Sequence, residues 1–164
     1  MKKTHTVVVI IMVLSLGVFY YVKTQKSDVA QRQQTIHERG MMVMPFDVSK
    51  TTHYFERTAS GGIQQVRAKD VKDGEQISLI RSHLKSEAQL FSAGNFRDPM
   101  TLHGSDMPGL DVLSDPSAKF NVEYGELPDG AQLTFTSQDQ KVIGAFKNWF
   151  AAQLMDHGAD AVAR

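Results

Sequence analysis

Twice along the chain, two short strand-like runs are followed by an amphipathic helix, and this alternation limits the fold more than any other feature. Thr51 to Arg57 is rich in β-branched and aromatic residues, and Ile63 to Ala68 alternates apolar with polar. Between them Ala59-Ser60-Gly61-Gly62 has the composition of a hairpin loop. The stretch from Gln76 then repeats Ile77, Ile80, Leu84, Ala88 and Phe91 at spacings of three and four, which predicts a helix with one buried face. Lys119 to Tyr124 and Ala131 to Thr136 form a second pair of strands around Gly125-Glu126-Leu127-Pro128-Asp129-Gly130. A last helix is expected from a Ser137 N-cap with Gln140 in the capping-box position. Val142, Phe146, Trp149, Phe150 and Gln153 make its stripe, and Gly158 stops it. Strands in pairs followed by helices predict an α+β domain: an antiparallel sheet of two hairpins with helices on one face.

The N-terminus reads as a targeting segment. Lys2 and Lys3 precede an apolar run over residues 7–22, broken only by Ser15, Gly17 and two tyrosine hydroxyls. Its 16 residues fall just short of the roughly 17–25 usual for a spanning helix. Signal-peptide cleavage needs small residues at −3 and −1. Phe19-Tyr20-Tyr21-Val22-Lys23 offers none, and Asp28-Val29-Ala30 has a charge at −3. The aromatic cluster suits a membrane interface instead. The expectation is an uncleaved N-terminal membrane anchor helix within residues 1–26, a helical stalk over 27–46 ending near Gly40, and the α+β domain over 47–164. A short inside tail puts that domain on the periplasmic or other extracytoplasmic side of a bacterial inner membrane.

Charge narrows the partners. Four of the 18 Lys and Arg precede Ser27 and none of the 18 acidic residues does, which leaves 14 against 18 beyond it, net −4. A nucleic-acid partner would want a basic stripe, so none is expected. With no cysteine, disulfides and thiolate chemistry are excluded. The sequence contains no phosphate loop, dinucleotide-binding turn, nucleophile elbow or His-Glu-x-x-His pair.

Four histidines come from four different elements. His83 borders the apolar stripe of the first helix, with Glu87 one turn on. His157 continues the stripe of the last helix. His53 shares a strand face with Phe55, and His103 follows the first helix in a turn-rich segment with Met107 nearby. Imidazole is the commonest ligand for a transition metal, and a thioether suits Cu(I). The set His53, His83, His103 and His157, with Met107 as soft auxiliary, is therefore the candidate metal site, for copper first and then haem iron. Taken singly, each histidine also fits a core-edge role, donating to a backbone carbonyl. His37 reads as a surface cation in a last helical turn, and the methionines of Met41-Met42-Val43-Met44 fit soft copper ligands but more often serve as core filler.

Residues 44–161 resemble a family of small exported bacterial proteins. The resemblance runs through Met44-Pro45-Phe46-Asp47, Thr52-His53-x-Phe55, Gly61-Gly62-x-Gln64-x-Val66, Gln76-Ile77-x-Leu79-Ile80-Arg81-x-His83-Leu84 and Leu127-Pro128-x-Gly130-Ala131. Its most specific blocks are His103-Gly104-x-x-Met107-Pro108-Gly109-Leu110 and Trp149-Phe150-x-Ala152-Gln153-Leu154-x-Asp156-His157-Gly158. Proteins similar to this often carry the label aspartate carbamoyltransferase. That enzyme has paired α/β domains about twice this size and a Ser-Thr-Arg-Thr phosphate loop, which this chain does not contain. The family often has a histidine two residues before the tryptophan, where Lys147 stands here. The resemblance implies export, and it carries no activity with it.

Three functions follow as expectations. The first is a membrane-anchored binding domain for a transition metal. The second is a non-metal envelope interaction domain with structural histidines. The third, an enzyme using His83 with Glu87 or His103 as acid and base, lacks a nucleophile or second carboxylate placed by spacing.

Overall fold

In a computed structural model the backbone is described from Lys2 to Arg164 and the side chains from Val18 onward. Helix α1 (Lys2–Val43) leads into β1 (Thr51–Thr58), β2 (Gly61–Ala68) and α2 (Gly74–Ser92), then two short helices, α3 (Arg97–His103) and α4 (Leu110–Leu113). The second hairpin, β3 (Asn121–Leu127) and β4 (Gly130–Thr136), precedes α5 (Gln140–His157) and a last strand, β5 (Ala161–Ala163). Most of the expected anchor, residues 7–17, lies outside the described side chains. Among the described residues no helix is long and apolar enough to cross a membrane. Val18 to Val22 are exposed on α1.

The architecture is α+β, with strand order β3-β4-β2-β1-β5. Both expected hairpins form, and β2 joins them by pairing antiparallel with β4. The sheet is nonetheless mixed, not purely antiparallel, because β5 runs parallel to β1, setting His53 beside Ala161. After α5 the chain turns back at Gly158 (φ 53°), and the tail then reaches the free edge of β1. Three residues were too few to show a period of two in the sequence.

Side-chain alternation explains the layering. Thr51, His53 and Phe55 of β1 point inward with Val66 of β2 and Ala131, Leu133 and Phe135 of β4. Helix α2 lies over β3 and β4, and α5 over β1 and β2. The α2 stripe Ile77, Ile80, Leu84, Ala88 and Phe91 is wholly buried, as its spacing predicts. Trp149 is fully buried among Phe91, Phe96, Phe135 and Phe150, with ring centres 5.4–5.7 Å away. Burying such a side chain stabilises the fold by roughly 1.5–3 kcal/mol or more.

Two termini differ from expectation. Helix α1 passes through Gly40, which packs beside Val48 and Leu102, and it ends at Val43. Pro45 disfavours a helical residue before it, so the stop belongs to proline and not to glycine. The N-cap of α5 is Asp139, which accepts from the Lys141 amide at 2.8 Å. Ser137 donates to Lys119 O at 2.5 Å instead.

The His103-to-Leu110 block owes its pattern to backbone geometry. Gly104 (φ 102°) ends α3, and Gly109 has φ 90°. A Cβ on Gly109 would overlap the Ala145 carbonyl of α5, while Met107 and Leu110 fill the core beneath. Gly109→Ala should therefore destabilise the protein by about 2 kcal/mol, from a forced left-handed conformation and a backbone overlap that α5 cannot relieve. A urea midpoint lowered without change of slope would be the expected reading; an unchanged midpoint would refute this packing.

Candidate functional site

The four histidines, drawn from β1, α2, α3 and α5, line one cavity. It measures about 40 Å³, and Met44, Phe46, Gln64, Glu87, Asp98, Trp149 and Gln153 complete much of its wall. The His53 and His157 rings are stacked at 4.9 Å between centres, 11° from parallel. The His103 ring meets His157 edge-on at 5.0 Å. His83 stands edge-on to Phe46 at 5.7 Å. No backbone carbonyl takes a hydrogen bond from any of the four among the described contacts; His103 instead bonds the Asp156 carboxylate, Nδ1 to Oδ2, at 2.9 Å.

Met107 is not part of this wall. It is buried in the hydrophobic core, because Pro108 and Gly109 turn the chain there toward α5. Met44, read from the sequence as filler, is the methionine that lines the cavity. Gln64, Gln153, Asp98 and Asp156 were also missed. Gln153 gave a signal, a polar residue on an otherwise apolar helix stripe. Asp98 stands against Glu87 and supplies the second carboxylate that spacing did not reveal.

The wall is rich in acceptors and poor in fixed positive charge. Burial pushes His53 down to about 4 and His157 well below the ordinary imidazole value. Burial lowers His83 too. Neutral rings carry a free lone pair, the form that binds a metal. Burial, then the Asp98 carboxylate, pushes Glu87 up to about 7, which makes it a proton donor near neutrality. Burial alone would raise Asp156, but hydrogen bonds from His103 and Arg32 hold it down to about 2.

Four buried polar atoms on this wall have no hydrogen-bond partner among the described residues: His53 Nδ1, Gln64 Oε1, Trp149 Nε1 and Gln153 Oε1. Buried polar groups are nearly always paired, and each exception costs about 1–3 kcal/mol. Their grouping sets four unmet polar atoms around one cavity, where a bound water or a polar ligand would pair with them. Among the described residues, no three His, Asp or Glu side chains already stand as a metal-binding group.

Comparison of the chain with protein-family models, curated proteins and solved structures found no match.

Proposed function

We propose that the protein is a membrane-tethered, extracytoplasmic binding domain whose histidine-walled cavity takes one transition-metal ion, copper before others. The observation that carries this reading is the donor set: the imidazoles of His53, His83, His103 and His157, with the Met44 thioether, around one cavity without a lining Lys or Arg. Such a wall repels anions and suits a borderline or soft cation. Two imidazoles sharing a tetrahedral ion, each nitrogen about 2.0–2.1 Å from it, have ring centres about 5 Å apart. The pairs His53–His157 and His103–His157 stand at 4.9 and 5.0 Å, although the first pair is stacked and its rings would have to turn before both could direct a lone pair at one ion. A bound ion would draw the ring nitrogens inward, and a water held with it would offer Trp149 Nε1 an acceptor.

Haem does not fit. Organic ligands of drug size occupy roughly 300–1,000 Å³, and this cavity has about 40 Å³, room for an ion and a water or two. The tether rests on the apolar run over residues 7–22 and its lack of a cleavage site. No nucleic-acid partner enters this account.

The test is elemental analysis of the untagged protein purified from the membrane fraction, before and after copper loading and dialysis. About one copper per chain is expected, with an intact N-terminus by mass spectrometry. Copper below a tenth of an equivalent would return the histidines to a structural role in a tethered interaction domain. A chain starting near Gln31 in the soluble fraction would remove the anchor.

A further inference from the structure

The tether helix reaches the edge of the site, at Asp156 and His103. Arg32 of α1 grips Asp156 of α5 with both arms of its guanidinium, Nε to Oδ1 at 2.5 Å and Nη2 to Oδ2 at 2.8 Å. The same Nη2 donates to the His103 carbonyl at 3.1 Å. Around it Ile36 is buried, and Gln33 donates to Met155 O at 2.8 Å. Arg39 donates to Leu102 O at 3.3 Å. The stalk's last turns are thus packed against the ends of α3 and α5, and they are not a free linker.

We propose that Arg32 is a positioning residue for the cavity: by fixing the Asp156 carboxylate it makes His103 carry its proton on Nδ1 and keep Nε2 free as the ligating nitrogen. The inference rests on the metal-binding reading for its purpose, but its geometry stands without it. An ionised carboxylate is acceptor-only, so the 2.9 Å bond from His103 requires the hydrogen on Nδ1. Oδ2 of Asp156 accepts from Arg32 and His103 together, so the fork sets the direction in which that oxygen points. Carboxylate support of this kind orients ligating histidines, and its loss weakens metal binding about 10–100-fold. Placing the guanidinium on α1 means that the element leading to the membrane also completes the site.

The experiment uses the full chain in detergent, with ¹⁵N-labelled histidine, at pH 8. Long-range proton–nitrogen spectra report the tautomer of His103 without any metal, and Cu(II) titration against a competing chelator reports affinity. The native protein should show the Nδ1–H tautomer. Arg32→Ala and Arg32→Lys should both give mixed tautomers and a Cu(II) affinity about 10–100-fold lower, since lysine keeps the charge but not the fork. Arg39→Ala, which loosens α1 without touching Asp156, should leave the tautomer native; a changed tautomer there would reduce Arg32 to general docking. An Nε2–H tautomer in the native protein, or a native spectrum in both Arg32 variants, would overturn the proposal. Native tautomers as described with no Cu(II) bound would sink the metal reading alone.

Discussion

Trp149→Ala should lower the melting temperature of the full chain by about 6–20 °C. Truncating a buried aromatic to alanine costs roughly 3–5 kcal/mol, and at this chain length each kcal/mol moves the midpoint by about 2–4 °C. The side chain is fully buried, and its ring touches residues from α2, the loop before α3, β4 and its own helix. No one neighbour can move to fill the space, because each is held by a different element. Differential scanning calorimetry on native and variant proteins measures the shift. An unchanged midpoint would mean that α5 does not present this face to the sheet.

The second large effect is a pH dependence with opposing parts. His53, His83 and His157 have folded values below the unfolded one, so the unfolded chain takes up protons first as acid is added. Their contribution is present above about pH 6.5 and is lost as pH falls from there toward 4, with His53 alone accounting for about 3 kcal/mol. Glu87 acts in the other direction. Its folded value is raised, so its contribution is present below about pH 4.5 and is lost as pH rises through 7. Three histidines outweigh one carboxyl, and the metal-free protein should be less stable at pH 4.5 than at pH 7. Glu87→Gln separates the two parts. It should stabilise the protein by about 3 kcal/mol at pH 7.5 and by almost nothing at pH 4.5, read as urea midpoints at the two pH values. Equal gains at both would show that Glu87 is not held protonated by its surroundings.

Periodic segments were legible in the sequence, and features made by single contacts were not. The stripes of α2 and α5 and the alternation in four strands follow from periods of 3.6 and 2 that many residues repeat. β5 has three residues and no period, so the parallel edge could not be read. Ser137 and Asp139 are both good N-caps; the choice fell to Asp139 because Lys119 O takes the Ser137 hydroxyl. The histidines could be found because three of them sit on or beside apolar faces, and a polar residue there has to be accounted for. Met107 misled because nearness to His103 in sequence is not nearness in space once a glycine at φ 90° turns the chain. Arg32 left no trace, since its partner lies 124 residues away and an arginine on a polar helix looks like any solvated one.

If the cavity binds a metal through its histidines, the protein carries its own reporter of that event. Trp149 is the single tryptophan of the chain, and it lines the same cavity as His53, His83, His103 and His157. Bound Cu(II) quenches an indole at such range. Titration of the untagged, full-length protein with Cu(II) at pH 7.5 should quench Trp149 fluorescence to a plateau at one equivalent, reversibly on adding chelator. The plateau should vanish when His53, His103 and His157 are replaced together by alanine in a chain that still melts cooperatively. Quenching that never saturates, or a one-equivalent plateau that survives loss of the three histidines, would contradict the account.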